Sequence, residues 1–349
     1  MKTKMLFLSD HYLDPRLRTK LKIFQRGNYE ITVLEDRTRA SWFKTHDKNS
    51  INYNIKDLNT ADNTIYKYYD NAVIYISGVK IMYKLFFILI KLKKRNKIYI
   101  EIPDLPLRAK NMILNRIIAI IFKLTLRILA DGLVITSNGF RNYLPKIDIL
   151  LFENIMDPKI LNKFKYIKKQ KKSDRTIIGI VGAIRYYEQL EMIVKFVSEH
   201  SNDYELQIYG GPVERLSRIL KKYPNQSIVV NGVYSYEKDI IRIYEEINFI
   251  YSVYDAEQIN VCRALPNKLY EAVLARIPLI VSKNTYLSEI VEKQKLGFSV
   301  PFKMEDYDSF KEKIKRTCTK TIEYNFNSYR KIIYHKSCNN AENLLQFIS

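Results

Sequence analysis

Lys268 and Glu271 stand three residues apart in the segment Leu265-Pro-Asn-Lys-Leu-Tyr-Glu-Ala-Val-Leu-Ala-Arg-Ile-Pro-Leu-Ile-Val-Ser282, which reads as loop, helix and buried strand. At helical spacing this base and acid share one face. Pro266 and Asn267 have the chemistry of a helix start, with Asn267 in the N-cap place and Lys268 and Glu271 in the first turn. A helix N-terminus offers unpaired N–H groups and partial positive charge, and so seats a diphosphate. A carboxylate in the same turn can accept both hydroxyls of a ribose, so the set suits a nucleotide sugar. The plainer alternative is that Glu271 complements the helix dipole and Lys268 is a solvated surface charge.

Other residues join this pair. Gly182-Ala-Ile-Arg-Tyr-Tyr-Glu-Gln-Leu190 follows an expected strand and opens a helix, the place where open parallel sheets bind ligands. Arg185 there is suited to grip a diphosphate bidentately, or else is a surface residue. Gly210, Gly211 and Gly232 suit strand-end turns. His11 follows the first expected strand, with Asp14 and Arg16 close behind, and is a catalytic candidate for its near-neutral pKa or else structural. Glu101 and Asp104 flank the end of another expected strand. Asp104 is the candidate to orient or deprotonate an acceptor hydroxyl, or alternatively a helix cap.

The elements that must position these residues alternate short β-branched runs with helical segments, the pattern of parallel sheets with crossover helices. Strands are expected near 4 to 9, 30 to 35, 72 to 76, 97 to 102, 132 to 136 and 149 to 152. A second set is expected near 176 to 181, 204 to 209, 227 to 230, 247 to 252, 278 to 282 and 297 to 300. The basic stretch Lys163–Arg175 reads as a linker, and the tail beyond about 303 as helical. The domains expected are 1–165, 176–320 and a helical tail 321–349. A length of 349 residues suits two domains, each with its own core.

The three cysteines, Cys262, Cys318 and Cys338, form no CxxC pair and fit a reducing compartment. The first residues are charged with too short an apolar run for a signal peptide. A net charge of +21 calls for an anionic partner, either nucleic acid or lipid. Lys80–Arg95 and Arg108–Arg127 mix basic and apolar residues but lack the ~18 uninterrupted apolar residues of a membrane span. Both fit basic amphipathic helices lying on a bilayer, or core-facing helices with solvated lysines. No helix-turn-helix, zinc or RNP pattern favours nucleic acid, and no metal-ligand spacing occurs.

Pro266-Asn-Lys-Leu-Tyr-Glu271, with Ile277-Pro-Leu-Ile-Val-Ser282 and Ser288-Glu-Ile-Val291 before Gly297, resembles the donor-binding half of GT-B glycosyltransferases. The likeness is to the retaining, family-4-like enzymes of bacterial capsule and surface-polysaccharide synthesis. Ile177–Gly182, Leu206–Gly211, Ser227–Gly232 and Ile243–Tyr251 resemble the preceding strands and turns of that family's second domain. Asp14-Pro-Arg16, Glu101–Asp104 and Thr136–Phe140 are similar to pieces of capsule-type members. The family usually carries two glutamates with seven residues between them, the first near the donor sugar and the second on the ribose. Glu271 takes the second place, but Arg263 stands at the first, where a guanidinium would meet the leaving diphosphate. The family generally also uses a lysine from the loop holding Arg185, and Gln189 stands near that place.

The resemblance implies two Rossmann-like α/β domains facing a cleft, with a C-terminal helix crossing back to the first. It implies a hexosyltransferase that moves sugar from a nucleotide-diphosphate donor to a lipid-linked glycan, with retention and without metal. The donor would be held by Arg185, Arg263, Asn267, Lys268 and Glu271, and the enzyme would sit peripherally on the cytoplasmic membrane face. A GT-B nucleotide-sugar epimerase is the alternative within the fold, and a basic nucleic-acid-binding protein the alternative outside it.

Overall fold

The computed structural model describes residues 2–9, 15–36, 54–58, 69–107, 111–153, 158–167, 174–214, 216–317 and 321–349. Two compact units emerge, Met1–Asn154 with Cys338–Ser349, and Ile155–Ser337.

The first unit is built on seven strands, β1 Thr3–Ser9, β2 Tyr29–Glu35, β3 Asn54–Asp57, β4 Val73–Ser77, β5 Lys97–Ile102, β6 Gly132–Ile135 and β7 Ile149–Leu151. They lie in the order β3-β2-β1-β4-β5-β6-β7, and all pairs are parallel. Met5, Leu6, Phe7 and Leu8 of β1 are all fully buried. A parallel strand covered on both faces reads as such a continuous apolar run. Its helices are α1 Pro15–Arg26, α2 Val79–Lys84, α3 Phe86–Lys93 and α4 Met112–Leu129. β3 was not among the expected strands, because Asn-Ile-Lys-Asp carries neither alternation nor an apolar run.

The second unit has six parallel strands, β8 Thr176–Val181, β9 Tyr204–Tyr209, β10 Ile228–Gly232, β11 Phe249–Ser252, β12 Leu279–Ser282 and β13 Gly297–Val300. Their order is β10-β9-β8-β11-β12-β13, the doubly wound arrangement whose order reverses between β8 and β11. Its helices are α5 Pro158–Lys163, α6 Tyr187–Glu199, α7 Leu216–Lys222, α8 Tyr236–Glu246, α9 Ile259–Arg263, α10 Asn267–Ala275, α11 Tyr286–Lys293 and α12 Tyr307–Thr317, and the last helix, α13 Thr321–Ile348, is divided between the units after Ser337. α10 is buried from Leu269 to Ala275, a run that is apolar apart from Glu271.

Two boundary expectations change. The start of the expected linker is folded, with Phe164 fully buried in the core of the second unit beside Tyr244. Residues 158–165, expected in the first domain, cluster with the second. α13 contributes Phe326 and Ile333 to the second core, then Leu344 and Ile348 to the first. Among the described residues no helix is long and apolar enough to cross a membrane.

Candidate functional site

The carboxyl edge of the second sheet is a row of glycine turns. Gly182 after β8, Gly210 after β9 and Gly232 closing β10 have φ of +114°, +133° and +73°. Glycine alone takes such angles cheaply. Gly182 N–H donates to Tyr209 O (2.8 Å), Ile184 N–H to Gly211 O (3.0 Å) and Gly210 N–H to Gly232 O (2.6 Å). A Cβ on Gly210 would stand 1.8 Å from Gly182 O, so these two turns touch through bare backbone. A Cβ on Gly182 would instead meet Lys268, with Cε at 3.5 Å and Nζ at 3.9 Å. The ammonium therefore lies against the turn after β8, beside the point where strand order reverses.

Lys268 is the second residue of α10. The N-cap position belongs to Pro266, extended at φ −75° and ψ 154°, and no side chain caps the helix. That corrects the expectation for Asn267, which is the first helical residue and exposed. Glu271 correspondingly falls in the second turn rather than the first.

Glu271 is 1% exposed, so it is neither a surface charge nor a simple dipole partner. Its Oε2 accepts from Tyr244 Oη at 2.6 Å and from Lys268 Nζ, and its Oε1 accepts from Tyr236 Oη at 3.0 Å. Lys268 is 12% exposed and ion-paired with it, which also rules out the solvated-lysine alternative. Burial and then the negative charge of Glu271 hold the Tyr236 and Tyr244 phenols well above the usual tyrosine range. Both stay neutral donors. Burial also raises the Tyr234 phenol, with Glu271 adding to it.

Tyr254, just beyond β11, closes this edge. Its ring packs on Tyr186 at 4.9 Å between centroids, and its backbone N–H donates to Ser282 Oγ at 2.6 Å. Burial raises its phenol pKa, and the charges of Glu271 and Arg185 act on it in opposite senses. Arg185, exposed in the loop after β8, is thus brought to the same edge as Glu271. Arg263 ends α9 with its side chain exposed. Gln189 is buried and donates to Phe302 O at 3.2 Å, so it belongs to the core.

In the first unit, His11 and Asp14 lie outside the described residues. Asp104 is exposed in the loop after β5. Glu101, its neighbour in sequence, is fully buried, with Lys20 Nζ at 3.1 Å, Arg16 Nε at 3.5 Å and Tyr75 Oη at 3.2 Å. Burial pushes the carboxyl up, but Lys20 and Arg16 outweigh it and hold the pKa below the ordinary range. Arg16 is therefore part of an internal ion cluster. Among the described residues no group of three or more side chains could hold a metal ion.

Sequence reasoning missed Tyr236, Tyr244 and Lys20. Tyr236, Ile240, Ile243 and Tyr244 repeat at helical spacing, so their shared face was legible. What that face meets was not.

Residues 162–334 match the family Glycosyl transferases group 1. No curated protein matches the sequence. Among solved structures, Anabaena HepE in complex with UDP and glucose is similar at TM-score 0.70 and 13% identity, over 98% of this chain and 99% of that one. Sucrose-phosphate synthase from Thermosynechococcus elongatus aligns at TM-score 0.67 and 12% identity, over 99% and 98%. A glycosyltransferase from Rickettsia africae aligns at TM-score 0.65 and 15% identity, over 99% and 98%. The two parallel sheets and these neighbours make the architecture GT-B, with two Rossmann-like domains.

Proposed function

We propose that this glycosyltransferase, whose residues 162–334 form a group 1 domain on a GT-B fold, moves a sugar from a nucleoside-diphosphate donor to a lipid-linked glycan in surface-polysaccharide synthesis. The observation that carries the donor reading is Lys268, set against the Gly182 turn on one side and paired with buried Glu271 on the other. Bare glycine backbone allows close approach of a diphosphate, and the ammonium with the exposed Arg185 supplies charge where the leaving group develops it. Arg263, exposed at the end of α9, and Asn267, exposed at the start of α10, join them as donor-binding residues. Glu271 is the ribose acceptor: when Lys268 turns to the diphosphate, the Oε2 position that it occupies opens to a ribose hydroxyl.

The reaction retains configuration at the anomeric carbon. The bond from that carbon to the diphosphate oxygen breaks, the acceptor oxygen bonds on the same face, and the acceptor proton passes to the leaving diphosphate. His11 and Asp104 are the candidates to orient the acceptor. A lipid-linked acceptor would lie at the inner face of a bacterial cell membrane, and the charge of +21 supports a peripheral location there.

Calorimetry with UDP-glucose, UDP and uridine tests the donor reading. Lys268→Ala and Arg185→Ala should weaken UDP and UDP-glucose by roughly tenfold or more each, the scale of a charged hydrogen bond, and leave uridine little changed. Equal losses on all three ligands would remove both residues from the phosphate. Absence of binding by any of a panel of nucleotide sugars would overturn the donor reading itself.

A further inference from the structure

α4 has three faces. Phe122, Leu126 and Leu129 point into the first unit and are fully buried. Ile113, Ile117, Ile120, Ile121, Leu124 and Ile128 recur at helical spacing on the opposite side, and each is between 49% and 68% exposed. Arg116, Lys123 and Arg127 recur at intervals of seven and four, which sets them in one row along a margin of that apolar stripe. No acidic residue occurs between Met112 and Leu129. The helix is firmly based, because Asn111 caps it through Oδ1 to the N–H groups of Ile113 (2.8 Å) and Leu114 (3.3 Å). α3 packs beside it and exposes Phe87 at 78%.

Six large aliphatic side chains in one exposed stripe exceed the scattered apolar residues of an ordinary surface. A second copy of this chain is a poor occupant. An isologous pairing would bring the same basic row against itself, with no acid on the helix to answer it. An anionic bilayer answers both features, taking the aliphatic stripe into the acyl boundary and the basic row into the headgroups.

We infer that α4 is the membrane-inserting element of this protein, lying in the plane of an anionic bilayer with its aliphatic stripe buried in lipid. The inference rests on the membrane location proposed above and changes how it is achieved. The cations of α3 are partly spent within the protein, since Lys93 pairs with Asp131, and Arg95 just beyond α3 pairs with Asp70. Apolar burial by α4 then supplies most of the affinity, and charge supplies the preference for anionic lipid.

Flotation with phosphatidylglycerol–phosphatidylcholine vesicles tests this. The full chain should float, and the triple variant Ile117→Glu, Ile121→Glu, Leu124→Glu should not. Burying one such side chain is worth about tenfold or more in partition, so vesicle affinity should fall by on the order of 100-fold or more. The variant Lys91→Glu, Lys94→Glu, at exposed positions in the last turn and C-cap of α3, should lose far less. Unchanged circular dichroism and melting temperature in the triple variant show that it folds. Its affinity for UDP by calorimetry should match wild type, and loss of UDP binding by wild type would fail the donor reading without touching this one. Equal flotation of wild type and triple variant, a failure of wild type to float, or a wild-type dimer that the triple variant converts to monomer would each overturn the inference.

Discussion

Tyr244 Oη donates to Glu271 Oε2 across 2.6 Å, and both side chains are sealed from solvent. The tyrosine comes from α8 and the acid from α10, so this bond joins the helix after β10 to the helix that carries Lys268. Tyr236 Oη repeats the contact on the other carboxylate oxygen at 3.0 Å.

Tyr244→Phe should therefore destabilise the fold and loosen donor binding together. A hydrogen bond to a buried charged group is worth about 1.5 to 3 kcal/mol, and the phenylalanine keeps the ring while removing only the donor. Urea denaturation reads the first effect and UDP-glucose calorimetry the second. A variant as stable as wild type would mean that Lys268 and Tyr236 satisfy Glu271 unaided.

Glu271→Gln should do more than weaken the donor. The amide turns an NH2 group toward phenols and an ammonium that now donate to a carboxylate, so stability should also drop by roughly 1.5 to 3 kcal/mol. Donor affinity should fall as well, through the ribose and through loss of the partner that orients Lys268. Normal UDP-glucose affinity in this variant would remove Glu271 from the donor site.

The glycine turns give a graded pair. Gly210→Ala should unfold or severely destabilise the second unit, because its Cβ would stand 1.8 Å from the Gly182 carbonyl oxygen in a backbone at φ +133°. Strain at such an angle alone costs on the order of 1 to 3 kcal/mol, before the clash is counted. Gly182→Ala bears the same kind of strain but meets only Lys268 at 3.5 Å, so it should fold and bind UDP more weakly. Thermal melts with and without UDP distinguish the two.

The Glu101 cluster makes the first unit acid-sensitive. The folded carboxyl titrates below its unfolded value, so its stabilisation is present above the unfolded pKa and is lost as pH falls through the folded one. Lys20→Met should remove that protection and leave a buried charge without its nearest cation, at a cost of about 3 to 5 kcal/mol. Denaturant midpoints taken from neutral pH down to the carboxylate range should show wild type losing stability on acidification. The variant should start lower and lose less. A variant with the wild-type acid profile would sink the account.

The succession of strands and helices was legible in the residues, because strands buried on both faces are continuously apolar and most crossover helices are amphipathic. The sequence also marked Gly182, Arg185, Lys268 and Glu271, since residue type and spacing suffice to propose a phosphate and ribose chemistry. The short strand β3 escaped it, carrying too little apolar pattern to register. Tertiary structure alone decided that Pro266 rather than Asn267 holds the N-cap position of α10, and that Glu271 is an internal acceptor for Tyr236, Tyr244 and Lys268. It likewise decided that Lys20, far from Glu101 in sequence, is that acid's nearest cation. An amphipathic period says which face of a helix is apolar, but packing decides whether that face meets a core. That is why Phe122 and Ile121, adjacent in one helix, end in the protein interior and in solvent.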